Sequence, residues 1–135
     1  LDKHNIQHKS RALETGDYSV MLGDATFEDE VVVERKANLD EIAGNFTNGR
    51  ERFEREMIRA KAGGIKVFLI VENASWTDIF LHNYRSELKP QSFAATLLSW
   101  QARVNLTVIF CKPSETAQII YSTLYYWVRD RLKRG

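Results

Sequence analysis

Two apolar runs constrain this chain more than anything else in it. Residues 65–71 read Ile-Lys-Val-Phe-Leu-Ile-Val, and residues 31–33 read Val-Val-Val. A strand with one wet face alternates apolar and polar side chains, because successive residues point to opposite faces. These runs barely alternate, so both of their faces must be covered, as in the centre of a parallel or mixed sheet with helices on each side. The β-branched content of both runs suits a pleated, buried strand. With 135 residues the chain suits one domain, large enough to bury a core. It has no run of about 18 apolar residues, so no membrane span is expected. Cys111 is the single cysteine, which excludes an internal disulfide and a cysteine zinc site and fits an intracellular, reducing compartment.

Other elements follow from local signals. Residues 8–14 and 18–22 read as strands, separated by Thr15-Gly16-Asp17, with Gly23-Asp24 as a further turn. A helix should begin at Asn38, an N-cap with Glu41 three residues on, and bury Leu39, Ile42, Ala43 and Phe46. A second, highly charged helix over residues 49–62 has Phe53, Met57, Ile58 and Ala60 as its apolar positions and ends at Gly63-Gly64. Ser75 caps a short helix over residues 76–81. Pro90 opens another to about residue 104, since proline is tolerated at the first helical position. Residues 106–110 form a strand, and Ser114 caps a long final helix to about residue 133. Strands first, then alternating helices and strands, give an α/β fold: a central mixed sheet flanked by helices on both faces.

Charge is unevenly spread although the formal net charge is only +1. Residues 24–41 hold seven acids and two bases, residues 48–66 six bases and three acids, and residues 129–134 four bases and one acid. A cation site beside a phosphate-binding surface would have this pattern. So would solvated helix faces with i,i+3 and i,i+4 pairs, and charge alone favours that plainer reading.

The motif at the end of the valine run changes the balance. Hydrolysing a phosphodiester with a divalent metal needs hard oxygen ligands held rigidly at one point. It also needs water activation and a cation to offset developing charge. Asp17 follows one strand in a turn, and Glu34-Arg35-Lys36 ends the next. Residues i and i+2 of a strand share a side, so Glu34 and Lys36 can meet while Arg35 points away. An acid followed by acid-x-lysine on an adjacent strand is the layout of the restriction-endonuclease superfamily. Alone, the pattern is commonplace, and a Glu-x-Lys pair at a strand end is usually a surface ion pair.

The surroundings are more specific. Leu13-Glu14-Thr15-Gly16-Asp17-Tyr18, Val33-Glu34-Arg35-Lys36 and Asp40 together form Gly-Asp, a gap, Glu-Arg-Lys, three residues and Asp. Asn48-Gly49-Arg50 follows, then the strand ending at Glu72, then Asn83-Tyr84-Arg85-Ser86 and Ser99-Trp100-Gln101. In these features the chain resembles the nuclease domain of the XPF family (excision-repair cross-complementation group four), in its short prokaryotic and phage-like branch. The resemblance covers nearly the whole chain. It implies a restriction-endonuclease-like fold and a DNA endonuclease using Mg²⁺ or Mn²⁺, selective for flap, fork or branched DNA. It makes Asp17 and Glu34 the metal ligands, with the Arg35 carbonyl as a further candidate. Lys36 would orient water or stabilise charge on the phosphorus. Asp40 would either support Arg35 or Lys36 or simply favour a helix N-terminus. Arg50, Arg52, Arg55 and Arg59 would hold DNA, although Arg50 could equally pair with a local carboxylate.

Two features depart from the family pattern. The gap between Asp17 and Glu34 is lengthened around residues 21–27, which introduces Asp24 as the alternative to Asp17. Family domains also open with a strand bearing Asp-x-Arg-Glu, which residues 1–8 lack. The expectation is therefore a single nuclease domain over residues 1–135 without that strand. The lacking acid keeps open a non-catalytic DNA-binding or scaffold member, and a mobile-element nuclease is a third reading. No helix-hairpin-helix domain fits after Gly135, so selectivity would have to come from a dimer, a partner or sequence beyond the given chain. The final helix carries Ile119, Ile120, Tyr121, Leu124, Tyr125, Trp127, Val128 and Leu132 on more than one face. That excess points to a homodimer through this helix, with Trp100 of the preceding helix as a further contact. An intracellular location, in the cytoplasm or nucleoid of a prokaryote, completes the expectation. His4, His8 and His82 lack metal spacing.

Overall fold

A computed structural model describes residues 6–10, 18–22 and 25–134. The sheet runs β1 (Ile6–Ser10), β2 (Tyr18–Leu22), β4 (Val31–Lys36), β5 (Lys66–Glu72) and β6 (Leu106–Cys111), with the two-residue β3 (Ala25–Thr26) also paired to β2. The first strands are antiparallel, and Tyr18 lies opposite Val33. β4, β5 and β6 are parallel, with Val33 beside Phe68 and Leu69 beside Val108. The sheet is thus mixed, as the two unalternating runs require. β1 begins at Ile6, earlier than the strand expected over residues 8–14, and residues 11–17, like Gly23-Asp24, lie outside the described residues.

Parallel strands need crossovers, and helices supply them on both faces. α1 (Leu39–Asn45) and α2 (Arg50–Ala62) connect β4 to β5, α3 (Trp76–Phe80) and α4 (Pro90–Arg103) connect β5 to β6, and α5 (Thr116–Lys133) follows β6. On one face Val32, Val67, Leu69, Val71 and Leu106 meet Ile42, Phe46, Phe53, Met57, Phe93, Leu97 and Trp100. On the other, Val31, Val33 and Ile70 meet Ile120, Leu124, Tyr125 and Val128 of α5, with Phe27 closing the edge. Consecutive valines of β4 serve opposite cores, which is why the run does not alternate.

Helix ends follow the sequence in most places. The Asn38 side chain accepts from the Glu41 N–H at 2.8 Å. Glu41 reaches back one residue further than a capping box would, to the Ala37 N–H at 3.4 Å. Gly64 stops α2 at φ +68, a left-handed conformation that costs glycine little. Three expectations change. Ile58 lies on the outer side of α2, 55% exposed. The start of the last helix is not capped by Ser114: residues 113–115 form a 3₁₀ turn in which the Glu115 carboxylate accepts from the Lys112 N–H at 2.8 Å, and α5 begins at Thr116. Trp100 belongs to the core under α2, edge-on to Phe53, on the opposite face of the sheet from α5, and so cannot share a surface with the last helix.

Candidate active site

The motif Glu34-Arg35-Lys36 is the C-terminal half of β4, and its three side chains divide between the faces as strand geometry demands. Glu34 and Lys36 turn to the α2 face and form an ion pair, Lys36 Nζ to Glu34 Oε1 at 3.2 Å. Their side chains are only 20% and 14% exposed, so the pair is screened less than a surface one. Phe53, Met57, Val67, Leu69 and Leu106 give the narrow recess around them an apolar floor. Glu56 of α2 also lines this recess, an acid that the sequence reading passed over. The available signal was its place on α2, between the buried Phe53 and Met57 and the Arg52 with which it pairs at 3.4 Å.

Arg35 turns to the other face and is fixed there. Its guanidinium donates to Glu72 Oε1 at 2.5 Å, and the Thr116 hydroxyl donates to Oε2. Glu72 is 4% exposed, yet both oxygens are satisfied. The hydrogen bonds from Arg35 and Thr116, with the charge of Arg35, hold its carboxyl below the usual 4.5 against the opposing effect of burial. This contact ties the ends of β4 and β5 to the start of α5. No local pattern announces it, because its three residues come from three elements.

Asp40 lies in the first turn of α1, where an acid was expected to favour the helix N-terminus, and it also has a partner that the sequence did not indicate. Its Oδ1 accepts from the backbone N–H groups of Arg85 and Ser86, at 2.9 and 2.7 Å. It anchors the loop after α3, which is further braced by Tyr84 Oη donating to the Leu88 carbonyl at 2.5 Å and by a 2.7 Å contact between His82 Nε2 and the Ser86 carbonyl. Burial first, and the nearby Asp40 charge second, raise the Tyr84 hydroxyl above its usual 10.0.

The four arginines of α2 separate. Helical spacing puts Arg52, Arg55 and Arg59 on one flank, the flank of Glu56 and hence of the recess. Arg52 pairs with Glu56, and all three arginines are exposed. Arg50 lies on the opposite flank, where its Nε pairs with Glu54 at 3.0 Å and its side chain lines a groove between α2 and α4.

Asp17 and Asp24 lie outside the described residues. Among the described residues no three histidine, cysteine or acidic side chains gather closely enough to hold a metal. Glu34 presents one hard carboxylate of the kind that Mg²⁺ and Mn²⁺ take, and Glu56 lines the same recess. Tyr18, which follows Asp17 in sequence, is paired with Val33, the residue before Glu34.

Comparison with known proteins decides the family. The ERCC4 domain model matches residues 1–123. The chain belongs to the ERCC4 domain family. XPF from Aeropyrum pernix has a similar structure, with a TM-score of 0.62 and 26% identity, covering 86% of this chain and 48% of that one. XPF from Aeropyrum pernix in complex with DNA matches with a TM-score of 0.60 and 21% identity, covering 90% of this chain and 52% of that one. The chain thus spans about half the length of these solved XPF proteins. No match was found among curated proteins. The ERCC4 domain here is an XPF-family nuclease domain with the restriction-endonuclease-like fold expected from its motif.

Proposed function

We propose that this ERCC4 domain is a divalent-metal-dependent DNA endonuclease, hydrolysing phosphodiester bonds in flap, fork or branched DNA with Mg²⁺ or Mn²⁺. The observation that carries the reading is the Glu34–Lys36 pair, side by side and half-buried at the end of β4, with Tyr18 paired alongside at Val33. Glu34 and Asp17 would hold the metal. When bound, it would supply Lewis acidity and lower the pKa of a coordinated water. Lys36, already neutralising Glu34, is placed to orient the attacking water or to meet charge developing on the phosphate. Arg35, clamped to Glu72, keeps the strand end from twisting, so that Glu34 and Lys36 hold their direction. The exposed Arg52, Arg55 and Arg59 flank the recess and would hold the DNA backbone. One of the similar XPF structures is a complex with DNA. We further propose that the domain acts as a homodimer through α5.

The test is cleavage of a panel of labelled DNA structures in Mg²⁺ or Mn²⁺. Glu34→Gln and Asp17→Asn should abolish it without changing the circular dichroism spectrum, while Asp24→Asn stays mild. Near wild-type turnover by Glu34→Gln would reject the assignment. Binding of DNA by the wild-type chain without cleavage under any metal would leave a non-catalytic DNA-binding member of the family.

A further inference from the structure

The two flanks of α2 present two different surfaces. One flank, with Arg52, Arg55 and Arg59, adjoins the Glu34–Lys36 recess. The other borders an open groove of about 460 Å³ between α2 and α4. Its α4 wall is a stripe of Ser92, Thr96, Ser99 and Arg103, spaced i, i+4, i+7 and i+11, so that all four share one helix face. Arg50 and Asn45 stand across from them. The small side chains of the stripe leave room for a bulky polyanion to come close to the helix. Arg103 is preorganised, its guanidinium lying over the Trp100 ring with 4.2 Å to the centroid. Asn45 also lines the groove, its Oδ1 buried with no hydrogen-bond partner among the described residues. Glu54, the one carboxylate lining the groove among the described residues, is already engaged by Arg50. Arginines, hydroxyls and an amide around an open groove are the donor set of a phosphate-backbone site.

We infer that the α2–α4 groove binds the phosphodiester backbone of a second DNA arm, distinct from the strand presented to the Glu34–Lys36 recess. The inference rests on the nuclease reading and adds to it a cause for structure selectivity. A helix with its side chains is about 10–12 Å across, so the two basic flanks of α2 face apart over roughly that width. A single smooth backbone would have to wrap the helix to touch both. Two backbones diverging at a fork or flap would run one along each flank, with α2 as the divider between them. A branched substrate can send one arm along each flank, whereas the two backbones of a plain duplex stay on either side of a groove about 12 Å wide, and the fork-to-duplex affinity ratio reads that difference.

The experiment measures binding without cleavage, by fluorescence anisotropy in EDTA, for a labelled fork and a labelled plain duplex of equal length. Arg103→Ala should weaken fork binding on the order of fivefold, lower its salt slope by about one, and leave plain-duplex binding unchanged. Arg55→Ala should weaken both substrates alike. Ser99→Asp adds a negative charge to the exposed stripe, one turn before Arg103 with which it can pair, and should repeat the fork-specific loss. Equal affinities of wild type and both groove variants for the fork, or equal losses on fork and duplex, overturn the second-arm site while the nuclease reading stands. Failure of the wild-type chain to bind either DNA overturns both.

Discussion

At the level of single residues, the sequence carried Glu34, Arg35 and Lys36 because strand alternation is a local rule. A β-branched run sets the period, and the period sets which of the three share a face. It did not carry Glu56, Glu72 or the use of Asp40, since each depends on an element at least fifteen residues away. Lys36 and the arginine flank of α2 should separate in experiment. Lys36→Ala is expected to lose cleavage by orders of magnitude while keeping most DNA affinity, because its Nζ sits on Glu34 at the recess and not on the outer flank. Removing Arg52, Arg55 and Arg59 together should instead weaken binding and flatten its salt dependence. Titrations against salt in EDTA, beside turnover assays, distinguish the two, and equal affinity losses would refute the division. Glu72 gives a pH prediction. Its carboxyl is held below 4.5 by Arg35 and Thr116 in the fold. A group so depressed adds stability that is complete above its unfolded pKa and is lost as pH falls through the folded value. Urea unfolding should therefore show wild type losing stability more steeply than Glu72→Gln below about pH 4.5, with the advantage of wild type intact at pH 7. Parallel curves for the two proteins over that range would show that the contact is not linked to folding.

Among the elements, the legible ones were those with a periodic core face and a chemical stop. α1, α2, β4 and β5 were all placed within a residue or two, by Asn38, by Gly63-Gly64 and by their apolar spacing. The exceptions have physical causes. Ile58 is apolar but sits 100° or more around α2 from the Phe53–Met57–Ala60 stripe, and burial follows the face rather than the residue type. Ser114 has the right chemistry for a cap, but Pro113 and the Glu115–Lys112 bond fold that turn as 3₁₀ and delay the helix to Thr116. The cap that did form can be weighed. Asn38→Ala removes the acceptor for the Glu41 N–H, and should destabilise the domain by about 1 kcal/mol. α1 leads directly from the motif and places Asp40 on the 85–86 loop, so hydrogen exchange at the Arg85 and Ser86 amides should quicken in the same variant. A shift in the denaturation midpoint with unchanged protection at those amides would mean that α1 and the loop are held independently.

The whole molecule tests the expectation that α5 has too many apolar residues for one contact. The sheet accounts for many of them: Ile120, Leu124 and Val128 recur every fourth residue against Val31, Val33 and Ile70, and Tyr125 is buried with them. Trp127, which the sequence marked as an interface residue, turns its ring edge toward Phe27, with 6.4 Å between centroids, and is half-buried within the chain. What remains outward is Tyr126, 48% exposed, with Arg129 over its ring, and Leu132, 44% exposed, beside the partly buried Ile119 and Tyr121. Tyrosine and arginine in such a stack are among the residues enriched at protein interfaces. A two-fold contact would place each Tyr126 near its counterpart and would leave the α2 face, with both of its basic flanks, open to DNA. The expected outcome is a dimer in sedimentation at micromolar concentration. Tyr126→Glu, which removes no contact to the sheet, should convert it to a monomer while leaving the circular dichroism spectrum unchanged. Trp127→Glu is the poorer probe, because loss of its Phe27 contact would unsettle the edge of the fold as well. A wild-type monomer whose sedimentation is unaltered by Tyr126→Glu would refute assembly through α5 and confine this helix to covering its own sheet.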